Sequence, residues 1–238
     1  KMWQNFLVQD NCARLQKAGY HFVGPGEGDL ACGDIGEGRL AELPFVVEET
    51  KKLLTTQALK GKKILITAGP TREFIDPVRY LSNASSGKMA LALAKEAYYR
   101  GADVTVITGV SLGLLPENIK VVEVISAMQM KKMVHEHVDG MDVFISAAAV
   151  ADYRPSKCSE QKLPSKNKAL TIQLVPTIDI LKGVASKLTK KPFMVGFALE
   201  SKDHLARARL KLRDKDVDML VVNDVSALNA AESQVWIL

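Results

Sequence analysis

Cysteine is scarce in this chain. Cys12, Cys32 and Cys158 are far apart, odd in number and never in a CxxC pair. That excludes a disulfide framework, argues against a zinc site and fits a reducing cytoplasm. Aromatic residues make up only 6% of the 238 residues. With no basic tail and no RNA-binding signature, the net charge of +5 predicts small anionic ligands rather than nucleic acid. No apolar run approaches the roughly 18 residues of a membrane-spanning helix. The opening residues, Lys1-Met2-Trp3-Gln4, show no basic stretch leading into an apolar one, so no secretory leader is expected there. His21, His135, His137 and His204 are scattered, and none is assigned a catalytic role.

What is present is a chain able to bury a core, as one large or two modest domains, with 47% hydrophobic and 25% charged residues. Residues 1–54 read differently from the rest. Trp3–Ala18 has helical spacing, and Gly19 sits where that helix would end. Tyr20–Val23 looks like a short strand. Gly24–Arg39 is so rich in glycine that regular structure is not expected there. Leu43–Leu54 reads as a helix and 55–61 as a linker. From Lys62 onward, strands are expected at 63–67, 103–107, 120–124, 142–147, 169–174, 193–197 and 218–222. Helices are expected at 86–100, 126–138, 177–188 and 202–215. This alternation predicts an α/β unit at 62–238 with a mostly parallel sheet. Such sheets bind ligands beyond the carboxyl ends of their strands, where the polar motifs fall. Leu205–Arg213 alternates as a strand would, but its residues are helix formers without β-branching, so a helix is predicted. On it Arg207, Lys211 and Lys215 form one cationic stripe.

The stretch Thr67–Ala92 stands out. An apolar strand, a glycine turn, a polar loop and a small-residue helix form the layout of a phosphate-binding unit. The start of such a helix offers N–H groups and the positive end of its dipole to anions. The loop adds Arg72, Arg79, Asn83 and Ser85-Ser86-Gly87-Lys88. A nucleotide or phosphorylated substrate is therefore expected. Each residue also has a plainer reading. Ser85-Ser86-Gly87 would serve as a helix cap and Asn83 as a turn former. Ala147–Ala151 would be close packing, Lys162 part of a solvated loop, and Lys211 with Lys215 an exposed helix face; as a functional alternative, the loop of Lys162 is a mobile lid that closes over substrate.

Three runs, Gly69-Pro70-Thr71-Arg72-Glu73, Asp76-Pro77-Val78-Arg79-Tyr80 and Ser82-Asn83-Ala84-Ser85-Ser86-Gly87-Lys88-Met89, resemble the phosphopantothenate–cysteine ligase family. The resemblance continues through Ala147–Pro155, Lys162, Pro176–Leu181, Val195–Glu200 and Val222–Ser226. Leu30–Arg39 is similar to the C-terminal motif of phosphopantothenoylcysteine decarboxylase, a flavoprotein commonly fused ahead of the ligase in bacteria. Departures are Ala90 in place of the usual glycine, Leu163-Pro164-Ser165-Lys166 in place of consecutive lysines, and a short stretch at Asn229–Leu238.

The resemblance implies a Rossmann-like three-layer α/β/α fold, preceded by a short remnant of a second α/β flavoprotein domain. It implies a cytoplasmic enzyme of coenzyme A biosynthesis, dimeric through the ligase domain and a higher oligomer in the intact fusion. The reaction joins 4′-phosphopantothenate to L-cysteine at the expense of CTP, through an acyl-cytidylate. Asn83 and Lys162 are implied as catalytic: Asn83 at the acyl group during cysteine attack, Lys162 at the α-phosphate. Gly69, Ser85, Ser86, Gly87 and Ala148 are implied in substrate binding. Asp152 would hold the nucleotide directly or through Mg²⁺. Ile178, Asp179, Ile180 and Leu181 would give backbone contacts, Phe197 would line the base or ribose pocket, and Lys211 and Lys215 would reach the triphosphate. Arg72 and Arg79 are candidates for the pantothenate phosphate or for positioning the loop. Cys32 is the implied proton donor of the decarboxylase, whose FMN is held mostly by residues absent here, so no decarboxylation is expected from this chain alone. Competing readings are a dinucleotide-dependent oxidoreductase and a non-catalytic nucleotide-binding module. Against the first, the loop reads Gly69-Pro70-Thr71-Arg72-Glu73-Phe74 and lacks GxGxxG.

Overall fold

The computed structural model describes residues 2–164, 169–186, 188, 190–200, 204–224 and 234–238. The chain divides into two compact units, Lys1–Thr56 and Gln57–Leu238.

The first unit holds helix α1 (Phe6–Lys17), strands β1 (Gly26–Asp29) and β2 (Ile35–Arg39), and helix α2 (Leu43–Leu54). Asn5 caps α1 by accepting from the Leu7 N–H, and α2 has proline in its first turn. The glycine-rich segment departs from the sequence expectation, since β1 and β2 pair as an antiparallel hairpin. Glycine permits this because Gly28 (φ 153°) and Gly38 (φ 143°) take backbone conformations that side chains disfavour. The strand expected at Tyr20–Val23 does not form.

The second unit runs β3 (Lys63–Ala68), β4 (Arg72–Phe74), β5 (Tyr80–Ser82), α3 (Lys88–Tyr99), β6 (Asp103–Thr108), β7 (Lys120–Glu123), α4 (Ala127–His137) and β8 (Val143–Ser146). It continues through β9 (Tyr153–Pro155), β10 (Leu174–Pro176), α5 (Ile180–Ala185), β11 (Phe193–Glu200), α6 (His204–Lys215), β12 (Met219–Asp224) and β13 (Val235–Ile237). Residues 57–61, read as linker from sequence, are tied into this unit. Gln57 Nε2 donates to the Tyr99 carbonyl at 2.9 Å and the Leu59 N–H to that of Arg100 at 2.9 Å.

Seven strands form one sheet in the order β13-β12-β11-β8-β3-β6-β7, parallel except for β13. Central β3 is apolar on both faces because both faces are covered. On one side Ile64, Ile66, Val104 and Val106 pack with Ala90, Ala94, Ala97 and Tyr98 of α3. On the other, Leu65, Ile107 and Phe144 pack with Met130 and Val134 of α4 and Ile180, Leu181 and Val184 of α5. The result is the Rossmann-like three-layer α/β/α arrangement. The chain leaves β3 for β6 and β7 on one flank, then returns through β8, β11 and β12 on the other. The switch point therefore opens between the carboxyl ends of β3 and β8.

Two expected elements change. Residues 169–173 form no strand, and β10 instead joins β9 in a separate antiparallel ribbon. Helix 177–188 shrinks to Ile180–Ala185, because Asp179 caps it by accepting from the Lys182 N–H. Sequence alone gave no sign of the β4–β5 ribbon inside the polar loop. The ambiguous Leu205–Arg213 is helical. Among the described residues no helix is long and apolar enough to cross a membrane. Lys166, Val225, Ser226 and residues 229–233 lie outside the described residues, as does the side chain of Arg207.

Candidate functional site

Two buried threonines shape the switch point. Thr67 Oγ1 accepts from the Ala148 N–H at 3.3 Å and Thr71 Oγ1 from the Ala151 N–H at 3.0 Å, both side chains almost fully enclosed. The Gly69 carbonyl takes the Ala149 N–H at 2.9 Å. The strand ends are thus laced together, with the backbone N–H groups of Ala148, Ala149 and Ala151 all held. Asn83 crosses this seam. Its Nδ2 donates to the carbonyls of Ala149 (3.2 Å) and Val150 (3.1 Å). Both amide hydrogens are spent, so the polar atom left over is Oδ1, an acceptor.

Helix α3 starts at the same place. Its cap is Gly87 in the left-handed region (φ 75°), without a side-chain hydrogen bond. Of Ser85-Ser86-Gly87, it is the glycine that takes the cap position. The cap residue itself therefore brings no side chain to the helix start. Gly69 (φ 70°) lies against Gly87, and Val110 packs on both. Beside them is a cavity of about 350 Å³ lined by Pro70, Arg72, Tyr80, Ser82, Asn83, Gly109, Val110 and Ser111. Arg72 stands over the Tyr80 ring at 5.9 Å and reaches the Gly109 carbonyl with Nη2 at 3.4 Å; its Nε is buried without a hydrogen-bond partner.

The two arginines differ. Arg79 is committed to Asp76, with Nε at 2.8 Å, and its Nη2 also donates to the Leu163 carbonyl at 2.7 Å. Of its two sequence readings, the geometry favours positioning the loop. Asp76 is fully buried and also accepts from the N–H groups of Val78, Arg79 and Leu163. Burial pushes its carboxyl up, but the Arg79 side chain and the three backbone donors outweigh this and hold it well below the usual carboxylate range. A depressed carboxylate stabilises the fold fully above its unfolded value, near pH 4, and loses that contribution as pH falls further. Thermal melts should therefore show a gap between the wild type and Asp76→Asn that is constant from pH 5 to 7 and narrows below pH 4. A gap that widens in acid would contradict this assignment.

The remaining predicted residues of the second unit lie on α5, β11, α6 and the segments that follow β8 and β9. Asp152 is exposed just beyond β8, and its carbonyl accepts from the Thr177 N–H at 2.8 Å. Lys162 is exposed on the segment after β9. Ile178 is half-buried; Ile180 and Leu181 place their side chains in the core, so only their backbone faces outward chemistry. Asp179 has one oxygen on the Lys182 N–H and the other 3.9 Å from Lys215 Nζ. Phe197 is half-buried on β11 opposite Val221 of β12. Lys211 and Lys215, one turn apart on α6, are both half-buried. In the first unit Cys32 is exposed in the β1–β2 turn, with Sγ 3.7 Å from Asp34 Oδ2.

Sequence reasoning named the motifs of Thr67, Thr71, Glu73 and Asp76 without giving those residues work. Polar residues inside strongly apolar or glycine-flanked strand ends were the available signal. Glu73 is likewise buried and accepts the first N–H of α4, from Ala127, at 2.8 Å.

A parallel sheet with laced strand ends and a glycine-capped helix start at its switch point is the layout of a Rossmann-like α/β domain. The chain belongs to the DNA/pantothenate metabolism flavoprotein C-terminal domain family, whose profile matches residues 59–238. A flavoprotein profile matches residues 1–55. The chain is 43% identical over 228 residues, 95% of its length, to the coenzyme A biosynthesis bifunctional protein CoaBC of Vibrio cholerae. It is 41% identical over 224 residues, 92% of its length, to a cysteine/cysteine sulfinic acid decarboxylase of an unidentified prokaryote. It spans 57% of the first relative and 62% of the second. Among solved structures, the C-terminal domain of a CoaBC protein superposes with a TM-score of 0.64 at 39% identity, over 77% of this chain and 88% of that one.

Proposed function

We propose that the second unit is a CTP-dependent phosphopantothenate–cysteine ligase, and that the first is the end of a decarboxylase-type flavoprotein domain. The observation that carries the reading is Asn83, held across the switch point beside the glycine-capped start of α3. The substrate carboxylate attacks the α-phosphorus of CTP and pyrophosphate departs. The amine of cysteine then attacks the acyl carbon and CMP departs, leaving an amide.

Crowded phosphoryl oxygens need positioned cations and N–H donors. Lys162 neutralises charge at the α-phosphate in the first step. Ser85, Ser86, Gly87 and the N–H groups of α3 take a phosphate, with Gly69 and Ala148 allowing close approach. Lys211 and Lys215 face the triphosphate, Phe197 the base or ribose, and Ile178–Leu181 offer backbone donors. With both its hydrogens on Ala149 and Val150, Asn83 offers Oδ1, which suits acceptance of an N–H from the attacking amine. Arg72 is the remaining cation of the cavity.

Among the described residues no group of three or more metal-ligating side chains occurs. A single exposed carboxylate, Asp152, nevertheless fits Mg²⁺, which keeps its waters and leans on substrate phosphates. Bound there, the ion would shield phosphate charge. The enclosed side chains of the first unit are Ala41 and Glu48. We assign it no decarboxylation by itself, and we assign the ligase unit to a cytoplasmic homodimer.

The test is incubation with CTP, Mg²⁺ and 4′-phosphopantothenate, with and without cysteine. Pyrophosphate release in both cases, and amide only with cysteine, is the expected result. Turnover with NAD(P) instead, or nucleotide binding without turnover, would sink the proposal. Stoichiometric FMN with CO₂ release would overturn the reading of the first unit.

A further inference from the structure

Lys162 lies within residues 156–164, which follow β9 without helix or strand, and it is exposed. Such a lysine is useful to a transition state only if its backbone is fixed. The contacts that fix it converge on one turn. The Ser159 N–H donates to the Ile75 carbonyl at 2.9 Å. The Leu163 N–H donates to Asp76 Oδ2 at 3.1 Å, and the Leu163 carbonyl accepts from Arg79 Nη2 at 2.7 Å. Both polar backbone groups of the residue after Lys162 are thus held by a single ion pair. That pair is itself rigid. Asp76 Oδ1 accepts from the N–H groups of Val78 (2.9 Å) and Arg79 (2.8 Å), and the carboxylate is fully buried.

We infer that Asp76 is a positioning residue which, with Arg79, clamps Leu163 and so holds Lys162 in register with the ribbon that leads to Asn83. The turn at 75–79 joins β4 to β5, and Asn83 directly follows β5. One buried carboxylate therefore couples the placement of the first-step cation to that of the second-step amide. Enclosure makes the coupling strict: losing the charge leaves Arg79 and three N–H donors without their common acceptor. This inference rests on the ligase reading for its kinetic consequence, but not for the clamp itself.

In an otherwise unchanged chain, Asp76→Asn should slow pyrophosphate release about 10²-fold, as expected for a displaced catalytic group. The KM for CTP should move far less than kcat. In a Lys162→Gln background the same substitution should add little, because it acts through the lysine already removed. Leu163→Pro deletes one clamp donor while leaving the Asp76–Arg79 pair intact, and should reproduce the defect in a chain whose melting stays close to wild type. Trypsin should cut after Lys157 faster in both clamp variants than in the wild type. Wild-type kcat in Leu163→Pro, or losses that multiply with Lys162→Gln, would overturn the inference. Should the wild type release no pyrophosphate at all, the ligase reading fails. The trypsin rates then decide the clamp alone, and unchanged cleavage refutes it.

Discussion

Lys162→Gln should suppress pyrophosphate release on the order of 10²–10³-fold, the usual consequence of removing one positioned donor from a charged transition state. Asn83→Asp should leave the first step largely intact and slow amide formation on the order of 10²-fold, so that acyl-cytidylate accumulates. The structure gives the second expectation a mechanism. Asn83 Nδ2 donates to the Ala149 and Val150 carbonyls, and an aspartate has no hydrogen to give them. The side chain would be repelled from the seam it now spans, and Oδ1 would leave the path of the amine. Rapid-quench single turnovers, with radiolabelled phosphopantothenate and cysteine added in a second mix, separate the steps. If both variants stop at the same step, this division of labour is wrong.

Gly69→Ala should destabilise the second unit strongly. Gly69 has φ 70°, and a Cβ there would lie 2.3 Å from Val110 Cγ1. The left-handed backbone costs a side-chain-bearing residue about 1–2 kcal/mol, and overpacking a tight site adds about 1–3 kcal/mol. For a unit of this size the melting temperature should fall by about 5–15 °C. Gly113→Ala provides the control: it has the same φ of 70° but no atom within 4 Å of the added Cβ. It should suffer only the backbone cost. Equal shifts in the two variants would show that the Val110 contact relaxes away.

Much of the architecture was legible because it is local. The β-branched run at Ile64–Ile66 and the alanine-rich face of α3 announce a doubly covered strand and its helix. Residue types decided the helix at Leu205–Arg213 against its misleading alternation. The failures share a cause. The glycine-rich hairpin, the β4–β5 ribbon and the β9–β10 ribbon are short antiparallel pairs whose stability comes from a partner segment, and a partner is not written in the segment itself.

The candidate site divides in the same way. Composition and order alone predicted an anion-binding loop after the first strand of the second unit, with Arg72, Arg79 and Asn83 among its donors, since strand ends and helix starts follow from pattern; Lys162 came only from the family resemblance. Only the tertiary structure decided which donors remain available. It brings Leu163 to Asp76 across 87 positions and Ala149 to Asn83 across 66, which spends Arg79 on a buried carboxylate and turns the oxygen of Asn83 into its free end. Hydrogen bonds saturate, so the job of a polar side chain is settled by whichever groups the fold sets within about 3 Å of it.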